Sequence, residues 1–111
     1  MNAATSDAAR VKTARTAGPV RVVGAGLLGS SVGLGLRGLG VDVILADSSP
    51  STLRLAIDYG AGRAAQEGDE PALIVVCVPP DVVAQTVAAE LAAYPRALVT
   101  DVASVKLAPL R

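Results

Sequence analysis

The stretch that decides the fold is Val20-Arg21-Val22-Val23-Gly24-Ala25-Gly26-Leu27-Leu28-Gly29, a short apolar run followed directly by a glycine-rich turn. Its three glycines have the G-x-G-x-x-G spacing. Apolar side chains then recur at three- and four-residue steps: Leu28, Val32, Leu36 and Leu39. That period predicts a helix with one buried face. The stretch therefore predicts a strand, a tight turn and a helix in this order.

Such a turn is typical of a backbone cradle for a diphosphate. Gly24 allows the sharp bend, Gly26 leaves room for the phosphates, and Gly29 lets the helix lie close to the strand. The helix start, at Leu27 and Leu28, offers unpaired N–H groups and the positive end of the helix dipole. A plain turn before a helix is the alternative that the glycines alone leave open.

A carboxylate follows the next predicted strand, residues 41–46. Asp47 lies 18 residues after Gly29, near the interval of about 20 residues at which an acid binds the adenosine ribose. Asp47 and Ser48 are therefore candidate cofactor residues, although Asp47 also suits a turn. Because a carboxylate repels the 2′-phosphate of NADP, NAD is the favoured cofactor. NADP remains open, since Ser48, Ser49 or Arg54 offers polar groups for a phosphate.

The composition limits the function classes. Of the 111 residues, 51% are hydrophobic, and ten basic residues balance ten acidic ones. This balance predicts neither a nucleic-acid nor a membrane-surface partner. The chain has no His, which removes the commonest general base and imidazole metal ligand, and its single Cys77, in an apolar run, is expected to be buried. One cysteine and no long apolar run favour a cytoplasmic protein without a membrane span.

Alternating strands and helices predict an α/β fold, a doubly wound parallel sheet of the Rossmann type. Residues 1–18 are expected to be a disordered tail, and 19–111 a dinucleotide-binding domain. The third, second and first strands are expected on one side, followed by the fourth and fifth. The later strands are predicted at 63–65, 73–78 and 97–102, and a further turn or helix at 104–110. Ser49 and Pro50 are expected to start the second helix and Asp81 the third.

Two further strand ends should face the cofactor crevice. Val78 and Pro79 end the fourth strand and are expected beside the cofactor, unless they only stop the strand. Ser104 and Lys106 follow the fifth strand and would place a hydroxyl and a cation near the nicotinamide ring. A helix cap for Ser104 and a solvated charge for Lys106 remain the alternatives.

Three segments, 22–31 (VVGAGLLGSS), 78–80 (VPP) and 100–106 (TDVASVK), resemble the nucleotide-binding half of the prephenate dehydrogenase family. The resemblance implies NAD-dependent oxidative decarboxylation of prephenate, or of arogenate, in tyrosine biosynthesis. It implies that the glycine turn holds the diphosphate, that Asp47 binds the ribose, and that Ser104 is catalytic, beside the nicotinamide and the substrate hydroxyl.

The family also uses a His beyond the Ser-x-Lys element and a helical second domain that forms a homodimer. This sequence contains neither. It is therefore expected to be an inactive fragment of a longer enzyme that carries the cofactor half. A stand-alone nucleotide-binding or sensing module, a reductase of the pyrroline-5-carboxylate type and a methyltransferase-like binder are the alternatives.

Overall fold

The computed structural model describes residues 18–102, so most of the expected tail and the Ser104–Lys106 region lie outside the described residues. Five strands form one parallel sheet in the order β3-β2-β1-β4-β5, as predicted. The strands are β1 (Val20–Val23), β2 (Val43–Ala46), β3 (Arg63–Ala64), β4 (Leu73–Val76) and β5 (Leu98–Asp101). β1 coincides with the apolar run before the glycine turn, and each later strand is one or two residues shorter than predicted.

Three helices connect these strands: α1 (Leu27–Gly38), α2 (Pro50–Asp58) and α3 (Val83–Ala93). A 3-10 turn at Pro80–Val82 leads into α3, so Asp81 lies in that turn and not in the helix. The predicted start of α2 is confirmed, because the Ser49 hydroxyl accepts a hydrogen bond from the Thr52 N–H at 3.3 Å and Pro50 is the first helical residue. After α1 and α2 the chain turns at Gly40 and Gly60, whose φ angles are +83° and +88°.

The sheet is covered on both faces, as its apolar strands require. Val22, Val43 and Leu45 pack beneath α1 and α2, while Ile74 and Val76 pack beneath α3. Val32 and Leu36 of α1 and Leu53 and Ile57 of α2 contact the first of these clusters. The core therefore lies in two layers around the central strands.

The apolar stripe predicted for α1 was partly wrong. Leu28 and Leu39 are about half exposed because they lie at the two ends of α1, beyond the strands that it covers. Leu91 of α3 is also exposed, and the buried residue of that helix is Glu90. Glu90 occupies this place because its carboxylate pairs with Arg21 of β1 at 2.7 Å.

The glycines inside α1 differ in the space around them. Gly33 is buried, and a Cβ there would collide with the carbonyl oxygen of Ala61. Gly35 and Gly38 have open space where a Cβ would lie. Close packing of the helix therefore explains Gly33, but it does not explain Gly35 or Gly38.

Candidate cofactor site

Parallel pairing brings three strand ends to the same level. Val23 pairs with Ala46 on one side and with Val76 on the other. The residues that follow these ends, Gly24, Asp47 and Cys77, therefore meet at one edge of the sheet. Backbone hydrogen bonds continue past the strands, from Gly24 N to Ala46 O at 2.8 Å and from Cys77 N to Val23 O at 2.7 Å.

The glycine turn is shaped by close backbone contacts. Gly24 has a φ of +100°, and a Cβ there would lie 2.6 Å from the Cys77 carbonyl oxygen. A Cβ at Gly29 would overlap the carbonyl oxygen of Gly24, so α1 can approach the turn only with glycine at this position. A Cβ at Gly26 would meet nothing within 4 Å and would point into open space. Each predicted glycine thus has the steric role that the spacing predicts.

The start of α1 is open to a ligand. Gly26 is its N-cap residue, no side chain caps the helix, and the first turn contains no acidic residue. The first N–H groups of a helix have no partner within the helix, and the helix dipole is positive at this end. This end of α1 is therefore suited to an anion.

Asp47 faces this turn. Its Oδ2 accepts a hydrogen bond from the Ala25 N–H at 2.7 Å, and its Oδ1 accepts one from the Ser49 N–H at 2.8 Å. The carboxylate thus joins the turn after β1 to the loop after β2. The bond to Ser49 N is the turn role that the sequence left open for Asp47. Each oxygen retains acceptor capacity for a further donor.

A cavity of about 670 Å³ lies over this edge of the sheet. All the predicted cofactor residues that the structure describes line it, except Gly29, which lies beneath the turn: Gly24, Gly26, Leu27, Leu28, Asp47, Ser48, Val78 and Pro79. Ser104 lies outside the described residues. One cavity therefore unites the glycine turn, the acid after β2 and the end of β4.

Comparison with known proteins shows the family of this chain. A sequence model of the prephenate dehydrogenase nucleotide-binding domain matches residues 32–111. The chain belongs to the prephenate dehydrogenase family. The match begins within α1 and does not include the glycine turn. The interpretation of that turn therefore depends on its own geometry.

Two relatives show how much of a longer protein this family member represents. The chain is 41% identical over 90 residues to the probable prephenate dehydrogenase NovF of Streptomyces niveus. The aligned region covers 81% of this chain and 25% of that protein. The crystal structure of Synechocystis arogenate dehydrogenase is similar, with a TM-score of 0.69 and 32% identity over 84% of this chain and 35% of that one. The chain therefore spans about a quarter to a third of the length of these relatives.

Sequence reasoning missed part of the cavity wall of this prephenate dehydrogenase-family domain. Val82, Gln85 and Thr86 also line the cavity, and the Thr86 hydroxyl donates to the Val82 carbonyl at 2.7 Å. Their spacing of three and four residues places them on one face at the start of α3. That spacing, just after the predicted end of β4, was the signal available in the sequence.

Cys77 was expected to be buried, and this was only partly right. It is half-buried, packs against the core and also lines the cavity. Burial raises the pKa of its thiol, so the uncharged form is favoured. The thiol is therefore an apolar part of the wall.

Of the three groups considered for a cofactor phosphate, Ser48 lines the cavity, whereas Ser49 and Arg54 are engaged elsewhere or lie outside it. The Ser49 hydroxyl caps α2 and contacts Ser51, and Arg54 is exposed and is not part of the cavity wall. Within residues 18–102, no cluster of three or more His, Cys, Asp or Glu side chains could hold a metal ion. No helix in that range is long and apolar enough to cross a membrane.

Proposed function

We propose that this chain binds NAD, in preference to NADP, as the cofactor-binding part of a dehydrogenase that acts on prephenate or arogenate. The observation that carries this proposal is the Asp47 carboxylate bonded to Ala25 N at the mouth of the glycine turn. An acid in this position accepts hydrogen bonds from unmodified ribose hydroxyls. The same fixed negative charge repels a 2′-phosphate.

The residues present fit a dinucleotide. The open space at Gly26 and the unpaired N–H groups of Leu27 and Leu28 would receive the diphosphate, and Asp47 the adenosine ribose. Ser48, Val78 and Pro79 would border the remainder of the nucleotide. When bound, a nicotinamide ring supplies an acceptor for a substrate hydride.

The names of the two relatives support the proposed substrate. One is named a probable prephenate dehydrogenase and the other an arogenate dehydrogenase, so we propose a substrate of this pair. In the case of prephenate, hydride loss and decarboxylation give 4-hydroxyphenylpyruvate. Ser104, beyond the described residues, is our candidate for contact with the reacting hydroxyl.

The proposed chemistry also needs a group that accepts a proton. The 111 residues include no His, the side chain that most often takes a proton near neutral pH. We therefore propose that the chain alone binds cofactor without turnover, and that catalysis and homodimer formation need a further helical domain. A cytoplasmic location is part of the same proposal.

Isothermal titration of the 111-residue chain with NAD and NADP tests the cofactor assignment. We expect saturable NAD binding that is at least about tenfold tighter than NADP binding, corresponding to about 1.4 kcal/mol. Gly26→Ala should retain the fold, because its methyl group enters open space, but should abolish NAD binding. Gly35→Ala, which adds a methyl group to the same helix away from the cavity, is the matched control.

Absence of binding to both cofactors would overturn the proposal. Tighter binding of S-adenosylmethionine than of NAD would favour a methyltransferase-like binder instead. Turnover of prephenate by the 111-residue chain would contradict the proposed need for a further domain.

A further inference from the structure

Both backbone polar groups of Ala25, at the centre of the glycine turn, are bound by side chains. Its N–H donates to Asp47 Oδ2 at 2.7 Å, and its carbonyl oxygen accepts from Ser30 Oγ at 2.9 Å. Ala25 is only 2% exposed, so water cannot readily replace either partner. The helical hydrogen-bond series begins one residue later, from Ser30 N to Gly26 O at 2.8 Å. The Ser30 side chain therefore donates to a carbonyl that accepts no hydrogen bond from the backbone of the helix.

This contact fixes the direction of the next N–H group. The peptide between Ala25 and Gly26 is planar, and none of the described peptide bonds is cis, so the Gly26 N–H points away from the carbonyl that Ser30 holds. A groove lies between α1 and α2, and Ser30 lines it. Ser30 is not part of the wall of the cofactor cavity. Gly26 borders both the groove and the cavity. The cofactor cavity is the other space that Gly26 borders, and an N–H directed away from Ser30 is free to face it. Among residues 18–102, no acceptor is bonded to it.

We propose that Ser30 is a positioning residue for dinucleotide binding, because its hydroxyl orients the Ala25–Gly26 peptide so that the Gly26 N–H meets the diphosphate. This inference rests on the proposed function. Ser30 itself does not touch the cofactor. Its role is to keep one donor of the turn oriented before the ligand arrives, so that binding requires no rotation of the peptide.

The test compares ADP, which has the diphosphate, with adenosine, which has only the base and the ribose. Ser30→Ala should weaken ADP and NAD binding by about five- to twentyfold, which is less than the full loss of a hydrogen bond to a charged group because the Gly26 N–H is retained and only its orientation is lost. Adenosine binding should change less than about twofold on the same scale. Ser30→Thr, which keeps the hydroxyl, should recover most of the ADP affinity. Ser31→Ala, an exposed neighbouring hydroxyl in the groove, is the matched control.

A second measurement uses the unaltered chain and does not depend on the folding of any variant. In ¹H–¹⁵N NMR spectra, the Gly26 amide should shift on addition of ADP but not of adenosine. The Gly68 amide, in the loop before β4 and outside the cavity wall, should not shift with either ligand.

The outcomes separate this inference from the proposed function. If the unaltered chain binds ADP and NAD, but Ser30→Ala binds them equally well, the positioning role is overturned and the proposed function stands. Equal weakening of ADP and adenosine binding would also overturn it, because Ser30 would then act through general stability. Failure of the unaltered chain to bind ADP or NAD would overturn the proposed function, and this inference with it.

Discussion

Arg21 in β1, the central strand, and Glu90 in α3 form a bidentate ion pair across one face of the sheet. Arg21 Nε lies 2.7 Å from Glu90 Oε1, and Arg21 Nη2 lies 3.2 Å from Glu90 Oε2. The guanidinium carbon also lies 5.1 Å from the centre of the Tyr94 ring. Burial opposes the charge of Arg21, but the hydrogen bond and the charge of Glu90 outweigh it and raise the pKa of Arg21. The pair therefore fixes α3 to β1.

Glu90→Ala should lower the free energy of unfolding by about 2–3 kcal/mol, because it leaves a largely buried guanidinium without its partner. The double variant Arg21→Met with Glu90→Leu removes both charges and should recover most of that loss. Urea unfolding followed by circular dichroism measures both effects. Glu67→Ala, at an exposed loop position, is the control; an equal loss in the control would contradict the assignment.

Asp69 gives a prediction for acid stability. Arg63 donates to Asp69 Oδ1 at 2.9 Å, and the Gln66 N–H donates to Asp69 Oδ2 at 2.7 Å. The hydrogen bond from Arg63, followed by that from Gln66, lowers the pKa of Asp69 in the folded chain. The unfolded chain, with an Asp pKa of about 3.9, then binds more protons as the pH falls. The stabilisation is complete at neutral pH and is lost between about pH 5 and the folded-state pKa.

We therefore expect Asp69→Asn to be less stable than the unaltered chain at pH 7, and the two to converge as the pH falls through the lowered pKa of Asp69. Urea unfolding at half-unit pH intervals measures this difference. Glu70→Gln, next to it in the sequence and exposed, should show no such convergence. A constant difference between Asp69→Asn and the unaltered chain at all pH values would contradict the titration of Asp69 as its cause.

The sequence could predict what depends on neighbours along the chain. Strand order, the glycine turn and the position of Asp47 follow from local spacing and from the rules of parallel sheets. The Arg21–Glu90 pair could not be predicted in this way, because its partners are 69 residues apart. Their contact depends on how α3 rotates over the sheet.

The same limit explains the error in the apolar stripe predicted for α1. A period identifies which side chains share a helix face, but not how far the helix extends past the sheet. Leu28 lies in the first turn of α1, which overhangs the carboxyl edge and lines the cavity. In α3, pairing with Arg21 turns Glu90 toward the sheet and leaves Leu91 exposed. The cavity residues Gln85 and Thr86 depend on that same placement.

Two glycines of α1 should respond to the same substitution in opposite directions. Gly33→Ala places a methyl group on the Ala61 carbonyl oxygen and should destabilise the fold by about 1–3 kcal/mol. Gly35→Ala places it in open space and should stabilise the fold by about 0.5–1 kcal/mol, because alanine loses less backbone entropy in a helix. Guanidinium unfolding of the two variants measures these changes. If both stabilise the fold, α1 lies farther from the Ala61 loop than described.

Asp47→Asn should change cofactor preference more than it changes the fold. The amide can still accept a hydrogen bond from Ala25 N or Ser49 N, but not from both, so we expect a loss of stability of about 1 kcal/mol. Affinity for NAD should fall, because one acceptor for the ribose hydroxyls is lost. Affinity for NADP should rise relative to NAD by about tenfold or more, because the negative charge that repels the 2′-phosphate is removed. Titration calorimetry with both cofactors measures the ratio of the dissociation constants for NADP and NAD.

Salt provides an independent check on the electrostatic cause. In the unaltered chain, the preference for NAD over NADP should decrease as ionic strength rises from about 0.01 to 1 M, since the Debye length falls from about 30 to 3 Å. In Asp47→Asn the ratio should depend much less on salt. Asp58→Asn removes an exposed carboxylate at the far end of α2 and should leave the ratio unchanged. An NAD preference that survives in Asp47→Asn at low salt would mean that cavity shape, and not the charge of Asp47, selects the cofactor.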